Sequence, residues 1–163
     1  DANIYGLESL IDLNLKKILG LKSAFIFNTF FNFSLIESEY VKSNEPGVEG
    51  KEVEFVPKFN FKYSIKFGFK NFTTYLQYSY HSRQFSDSSN SIESNLSGVI
   101  GQIPEYDILD FSVNYKLDKF KIETGINNLL NKYYFTRRAT GYPGPGIIPS
   151  PPRNYYITLQ YKL

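Results

Sequence analysis

The chain offers few side chains for covalent chemistry, because it has one histidine and no cysteine among its 163 residues. That histidine, His81, is followed by Ser82, and a His-Ser pair can serve as base and nucleophile. Adjacent residues of a β-strand point to opposite faces, so a strand through this segment would keep the two side chains apart. We therefore predict no catalytic residue, no metal site and no cofactor, and expect His81 to lie on a polar face near a strand end.

Arginine and tyrosine side chains could instead bind an anion without covalent chemistry. A guanidinium holds a carboxylate through two parallel hydrogen bonds, and an aromatic ring can contact a planar ligand. We predict that six residues near one end of the fold contact a ligand: His81, Arg83, Arg137, Arg138, Tyr142 and Arg153. Surface loops are also basic for other reasons, and that alternative stays open for each arginine.

The elements that position these side chains are predicted to be β-strands, because apolar and polar residues alternate along most of the chain. The clearest run has phenylalanine, tyrosine or isoleucine at every odd position from 59 to 69, with polar or small residues between. Six further segments alternate in the same way: 11–15, 21–36, 72–81, 109–117, 120–127 and 154–163. We therefore predict seven antiparallel strands, each with one apolar and one polar face.

The connections between these strands alternate strictly between short and long. The short ones are predicted at residues 16–20, 70–71 and 118–119, and the long ones at 38–52, 86–104 and 139–152. This alternation is typical of outer-membrane barrels, which have short periplasmic turns and long extracellular loops. The run from 59 to 69 extends about 33 Å, and at a tilt of roughly 45° it rises about 23 Å, close to the ~25 Å apolar band of such barrels.

The bulk composition is compatible with this all-β membrane fold. Aromatic residues make up 18% of the chain, no run approaches 18 consecutive apolar residues, and the mean hydropathy is −0.31. Alternating strands keep average hydropathy low even in a membrane. A net charge of +2 gives no argument for nucleic acid as a partner. A water-soluble β-sandwich is the alternative, but its strands are usually shorter and its loop lengths are not sorted by end.

Several charged residues are predicted to face the interior of the barrel, on the polar faces of their strands. They are Lys58, Lys62 and Lys66 on one strand, with Asp12, Asp110 and Glu123 on others. One interpretation is a charge network that stabilises the barrel wall. The other is a path for an anionic chelate, and the residues by themselves leave both open.

Seven strands are an odd number, whereas single-chain bacterial barrels close with an even number. An unclosed sheet would leave backbone N–H and C=O groups unpaired in lipid, at a high cost in free energy. We therefore expect further strands outside residues 1–163, in the same polypeptide or in a partner chain. Since the chain starts at Asp1 without a signal segment, we interpret it as a processed or excised piece.

One segment resembles the penultimate-strand signature of TonB-dependent receptors, in which a strand ends in an Asn-Leu-aromatic-Asn turn followed by tyrosine. Here it reads Gly-Ile-Asn-Asn-Leu-Leu-Asn-Lys-Tyr-Tyr over residues 125–134, and Pro152-Arg153 then precedes the last strand, as in the family. Gly6-Leu7-Glu8 and Glu54-Phe55-Val56-Pro57 resemble the starts of earlier strands, and residues 137–146 resemble a loop of ferric-citrate-type siderophore receptors. The family usually ends in phenylalanine, whereas this chain ends in Leu163.

The resemblance implies that residues 1–163 are the C-terminal part of an about 22-stranded transmembrane β-barrel in the bacterial outer membrane. It implies a transporter that binds an iron chelate and is driven by the TonB complex through a plug domain. Outer-membrane lipid and lipopolysaccharide would surround the barrel, and a C-terminal assembly signal would comprise Tyr155, Ile157, Leu159, Tyr161 and Leu163. The alternative is a structural or adhesive outer-membrane barrel whose loops bind a surface partner.

Overall fold

A computed structural model of the chain describes residues 1–22, 24–141 and 144–163. It contains eleven strands in this part of the chain: β1 (Ala2–Leu13), β2 (Phe25–Tyr40), β3 (Phe59–Phe69), β4 (Phe72–His81), β5 (Gln84–Phe85), β6 (Gln102–Ile103), β7 (Tyr106–Leu117), β8 (Phe120–Asn127), β9 (Phe135–Ala139), β10 (Gly146–Pro149) and β11 (Asn154–Tyr161). Seven of them form one antiparallel sheet in the order β1-β2-β3-β4-β7-β8-β11. The seven predicted strands are therefore confirmed as one continuous wall.

The two ends of this wall differ as predicted. Residues 14–24, 70–71 and 118–119 connect strands at what we call the short-turn end. Residues 41–58, 82–105 and 128–153 connect them at the long-loop end. The second and third loops extend beyond their predicted bounds on both sides, whereas the first begins and ends later than the predicted 38–52. Two of the short turns are tight because Lys70 and Asp118 adopt left-handed backbone conformations, with φ of 52° and 50°.

The first two strands differ from their predicted bounds. The prediction that the first strand spans 11–15 is wrong at both ends. The strand begins at Ala2 and ends at Leu13, and a one-turn helix, α1 (Leu15–Ile18), follows. The Asn14 side chain caps this helix by accepting a hydrogen bond from the Lys17 backbone N–H at 3.1 Å. No helix within the described residues is long and apolar enough to cross a membrane. The strand β2 spans Phe25–Tyr40 rather than 21–36, because it pairs with β1 as far as Ala2.

The strand register places most of the apolar residues of the seven strands on one face of the wall. Phe30 is an exception, because it is paired with Asp12 and Ser64 on the polar face. Ring pairs between neighbouring strands occur along the apolar face at centroid distances of 4.8 to 4.9 Å, and each such pair contributes about 1 kcal/mol beyond area burial: Phe25–Phe69, Phe31–Phe61 and Phe120–Tyr161. This face covers no core among the described residues, and on the last strand Ile157 is 76% exposed and Leu159 is 66% exposed. A wide apolar face without a protein partner fits contact with lipid.

The buried apolar residues lie in the loops rather than behind the sheet. Val48, Phe85 and Ile103 are the buried hydrophobic residues of the described chain, and all three belong to the long-loop end. Two short hairpins, β5–β6 and β9–β10, organise these loops. Sequence analysis missed both hairpins, because strands of two to five residues are too short to show a period. The long loops therefore form a packed cap with its own small core.

Candidate functional site

The polar face of the wall contains a groove with a cavity volume of about 430 Å³. Lys62 and Lys66 line it from β3, Asp12 from β1, and Tyr75 from β4. The Tyr75 hydroxyl donates a hydrogen bond to the Ser64 hydroxyl at 2.9 Å, which ties β4 to β3 inside the groove. No ion pair of the described residues includes Lys62 or Lys66. The groove thus presents two ammonium groups and the Asp12 carboxylate, none of which belongs to an ion pair of the described residues.

A second groove of about 200 Å³ lies beside β7, β8 and β11. Gly125 makes room for Tyr156, which lines this groove, because a Cβ at residue 125 would lie only 2.5 and 2.6 Å from two ring atoms of Tyr156 and 2.7 Å from its hydroxyl oxygen. The tyrosine ring therefore crosses β8 at the glycine, and its hydroxyl donates to Glu123 at 3.4 Å. Glu123 also pairs with Lys121 at 3.1 Å. Of the charged residues predicted to face inward, Glu123 thus has a structural role in the wall.

His81 lies at the long-loop end of β4, on the polar face as predicted. Its Nδ1 lies 2.7 Å from the Asn60 side-chain oxygen, which can only accept, so Nδ1–H is the donor. The imidazole ring stacks on Tyr106 at 4.9 Å, and Tyr106 stacks on Tyr134 at 4.8 Å. Ser82 does not share these contacts, because its hydroxyl accepts from the Phe59 backbone N–H at 3.0 Å. The structure therefore assigns His81 to an aromatic stack at the rim.

Asn128 explains why the asparagine-rich segment follows β8. It is 2% exposed and has a left-handed φ of 52°, a conformation that asparagine tolerates better than most residues. Its side chain accepts from the Lys132 N–H at 2.8 Å and donates to the Lys132 carbonyl at 2.8 Å. The Asn128 backbone N–H donates to an Asp110 carboxylate oxygen at 2.9 Å. These hydrogen bonds fix the direction in which the last long loop leaves the sheet.

Arg138 lies inside the cap, where it is 9% exposed. Its two terminal nitrogens donate to the Gly98 carbonyl at 2.7 Å and the Gln102 carbonyl at 2.9 Å. The guanidinium lies 5.2 Å from the Phe135 ring centroid. Burial lowers the pKa of Arg138, while the charge of Asp87 opposes that effect. Arg138 thus joins the loop of residues 82–105 to the loop of residues 128–153.

Arg83 lies in a charge network at the edge of the cap. Its guanidinium is 3.7 Å from Glu52 and 5.1 Å from the Phe85 ring centroid. Glu52 also pairs with Lys58 at 3.2 Å, and Lys58 reaches Glu37 at 3.5 Å. The hydrogen bond to Glu52 raises the pKa of Lys58, against a smaller opposing effect of burial. Part of the Arg83 charge is therefore compensated by the protein.

Arg137 and Arg153 differ from the other two arginines, because both are exposed and neither forms an ion pair among the described residues. Arg137 neighbours the buried Arg138 on β9, and Arg153 directly precedes β11. Its backbone N–H donates to the Asn131 side chain at 3.1 Å. The predicted site residue Tyr142 lies outside the described residues. No contact within the described chain joins any two of the four arginines.

The residues of the predicted C-terminal assembly signal share the apolar face and are all exposed: Tyr155, Ile157, Leu159, Tyr161 and Leu163. Four of them belong to β11, which forms one edge of the sheet, and Leu163 lies two residues beyond the strand. Their role in assembly stays a prediction.

Solved structures share this fold. The ferric citrate transporter FecA superimposes on 98% of the chain with a TM-score of 0.86 at 21% identity, and the chain spans 24% of FecA. The ferric yersiniabactin uptake receptor FyuA from Yersinia pestis gives a TM-score of 0.76 at 17% identity, with 98% and 23% of the two chains covered. The copper transporter OprC gives 0.72 at 13% identity, with 99% and 24% covered. The chain therefore spans about a quarter of each of these proteins.

Comparison with curated protein sequences found no match. The family model described as TonB dependent receptor-like, beta-barrel matches residues 1–129, which is most of the chain. Seven long antiparallel strands, an apolar outer face and loops sorted by end agree with that match. The chain therefore belongs to the TonB-dependent receptor-like β-barrel family, whose members are transporters, not enzymes, of the Gram-negative outer membrane.

Proposed function

We propose that this chain forms part of the wall and the extracellular capture surface of a TonB-dependent transporter that imports an iron chelate. The main support is that one sheet combines three features: an apolar outer face, a polar inner face with grooves, and a packed cap of loops at one end. Residues outside 1–163 would close the barrel at β1 and β11, fill it with a plug and provide the contact with TonB.

The argument for an anionic chelate comes from the loop arginines. The related folds include both ferric-chelate receptors and a copper transporter, so fold similarity alone leaves the cargo open. Arg137 and Arg153 are exposed guanidinium groups without a carboxylate partner in the described chain. An uncompensated guanidinium is suited to a carboxylate of an incoming ligand. These two residues are therefore the strongest candidates for direct ligand contact.

The other predicted site residues have different parts in this proposal. Arg138 would position Arg137 rather than bind the ligand, because both of its terminal nitrogens are engaged by backbone carbonyls. The charge of Arg83 is partly compensated by Glu52, and its guanidinium lies over the Phe85 ring. His81 belongs to the aromatic stack at the rim. Tyr142 lies outside the described residues and remains a predicted contact.

The test is binding of ferric citrate by the purified full-length receptor, with Arg137→Ala as the variant. One charge-assisted bidentate contact contributes about 1.5 kcal/mol, so Kd is expected to rise about tenfold. Arg137→Lys keeps the charge but loses the two parallel donors of the guanidinium, so it should raise Kd less. Lys42→Ala removes an exposed charge at the same end and serves as the control. An unchanged Kd for Arg137→Ala, or an equal rise for Lys42→Ala, would contradict the proposal.

Energy coupling and cargo class have separate tests. Uptake of radioactive ferric citrate is expected to stop in cells that lack TonB, although binding to the cell surface continues. Uptake that persisted without TonB would refute the transport mechanism. If the receptor bound a neutral ferric hydroxamate but no ferric citrate, the proposal of an anionic cargo would fail and the transporter class would stand.

A further inference from the structure

The three lysines that were predicted to face the interior from one strand have different surroundings. Lys58 belongs to the charge network at the edge of the cap, where it pairs with Glu52 at 3.2 Å and reaches Glu37 at 3.5 Å. Lys62 and Lys66 lie farther along β3 and take part in no ion pair of the described residues. The wall therefore pairs the first lysine and leaves the charges of the next two available.

The strand register fixes what lies beside these two lysines on the inner face. Ser64 lies between them on β3 and is paired with Phe30 of β2 and with Gln77 of β4. Since Lys62 and Lys66 are four residues apart, their backbones are about 13 Å apart at ~3.3 Å per residue. All five residues line the groove of about 430 Å³ on the polar face. The groove thus combines two separate positive charges with an amide, a hydroxyl and an aromatic side chain.

Asp12 also lines this groove, but it lies two strands away from the lysines. Asp12 is paired with Phe30, and Phe30 is paired with Ser64. Neighbouring strands are about 4.8 Å apart, so roughly 10 Å of sheet separates Asp12 from β3, with Phe30 on the strand between. An anion on the β3 side of the groove would therefore contact the ammonium groups and stay apart from the carboxylate.

The type of cation changes between the long-loop end and the inner face. All four arginines belong to the long-loop end: Arg83, Arg137, Arg138 and Arg153. The cations that the register places on the inner face are all lysines: Lys62, Lys66, Lys116, Lys121 and Lys162. Of these, Lys121 pairs with Glu123 at 3.1 Å, and the other four take part in no ion pair within the described chain. Unpaired positive charge therefore continues from the groove to the foot of the wall, the short-turn end, which faces the periplasm in outer-membrane barrels.

Arginine and lysine suit different tasks in the handling of a carboxylate. A guanidinium is a rigid fork that holds a carboxylate in one orientation, whereas an ammonium is a compact, hydrated point charge without that geometry. Passage through a channel requires binding that is strong enough for entry and weak enough, over several sites, for release. Separate lysines meet this requirement for a passing ligand, while a permanent contact with an acidic segment of a plug would gain from arginine.

We propose that the groove around Lys62 and Lys66 is a transit site for the carboxylates of an anionic iron chelate, and that Lys116 and Lys162 continue the path to the periplasm. The site would be used after the plug has moved and the ligand has left the capture loops. This inference rests on the proposed function and deepens it, because it assigns passage of the ligand to one part of the wall.

The experiment compares binding of ferric citrate at the cell surface with its TonB-dependent uptake, in cells that carry the full-length receptor. For Lys62→Gln with Lys66→Gln, we expect an unchanged Kd and an uptake rate per receptor that is about fourfold lower. The magnitude follows from a factor of about two for each exposed charge contact. Lys62→Arg with Lys66→Arg keeps both charges and should stay within about twofold of the wild-type rate.

The matched control removes two lysines that lie outside the inner face. The Lys70 ammonium lies 5.3 Å from the ring centroid of Phe69, and the Lys119 ammonium lies 6.0 Å from that of Tyr161, both on the apolar face. Lys70→Gln with Lys119→Gln makes the same change in net charge and should leave the uptake rate unchanged. Heat-modifiable migration in gels verifies that every variant is folded.

Several outcomes would overturn the inference. An unchanged uptake rate in the Lys62→Gln, Lys66→Gln variant would do so while the transporter itself stands, and an equal fall in the control pair would indicate a general effect of charge. A higher Kd that accounts for the whole loss of uptake would move the two lysines to the capture step. Vancomycin sensitivity of cells with this variant, but not of wild-type cells, would make an acidic plug segment the partner of the lysines. Absence of TonB-dependent uptake of ferric citrate in the wild type would refute the proposed function together with this inference.

Discussion

Arg138 joins two extracellular loops, so its replacement by methionine tests how the cap is held together. Methionine keeps an unbranched chain of similar length but removes the charge and both donors to the Gly98 and Gln102 carbonyls. The change leaves two carbonyl groups of the loop of residues 82–105 without their partners. It also removes the guanidinium from the Phe135 ring, which lies 5.2 Å away.

The expected magnitude follows from these contacts. Two hydrogen bonds to a charged donor contribute roughly 1.5–3 kcal/mol each, and the contact with the ring adds about 1 kcal/mol. Against them stands the cost of burying the charge, visible in the lowered pKa of Arg138, and a buried Nε without a partner, which costs about 1–3 kcal/mol. A net loss of about 3 kcal/mol in the stability of the cap corresponds to a roughly 150-fold larger opening constant.

Hydrogen exchange on the full-length receptor measures this opening directly. We expect Arg138→Met to accelerate exchange about 100-fold at residues 102–103 and 135–139, which belong to different loops, and to leave β3 and β4 unchanged. Arg138→Lys keeps one donor and should give an intermediate effect, and Arg137→Met is the matched control on the exposed side of β9. Acceleration confined to residues 135–139, or an equal effect of Arg137→Met, would refute a bridging role for Arg138.

Three further changes probe the wall and its loops. Asn128→Ala loses two 2.8 Å amide hydrogen bonds and keeps a φ of 52°, so it should lower the free energy of unfolding by about 3 kcal/mol in urea titrations. Asn128→Gly should recover about 1 kcal/mol, and equal losses would contradict the backbone argument. Gly125→Val should displace the Tyr156 ring at a cost of about 1 kcal/mol, and the losses from Gly125→Val and Tyr156→Ala should not add. The raised pKa of Lys58 means that its pairing stabilises the loop at lower pH and is lost as pH rises above the ordinary value of 10.5. Protease cleavage of the loop of residues 41–58 should therefore increase there in the wild type, whereas Lys58→Gln, already lacking the contact with Glu52, should show a smaller increase over the same pH range.

The alternation of residue types was sufficient to predict the wall. A strand exposes successive residues to opposite faces, so period-two patterns identify both the strands and their lipid-facing sides before any pairing is known. The same pattern correctly placed His81 on the polar face at a strand end. The alternation pattern gave the wrong structure at Leu15, which belongs to a helical turn. That turn is capped by Asn14 through the backbone N–H of Lys17, an interaction that an alternation pattern does not reveal.

The arrangement of the long loops was beyond sequence reasoning. Adjacent arginines look alike in the sequence, yet Arg138 is buried against two carbonyls of another loop and Arg137 is exposed, because β9 turns its alternate residues to opposite sides. The partners of Arg138 lie 36 and 40 residues away, and no local pattern encodes such a distance. The lysines at the foot of the wall likewise come together only because β8 pairs with β11, which brings the 118–119 turn beside Lys162. The sequence by itself therefore determined the wall and its two faces through local periodicity, whereas only the tertiary structure decided which charges are engaged and which are free to bind, because that depends on contacts between distant segments.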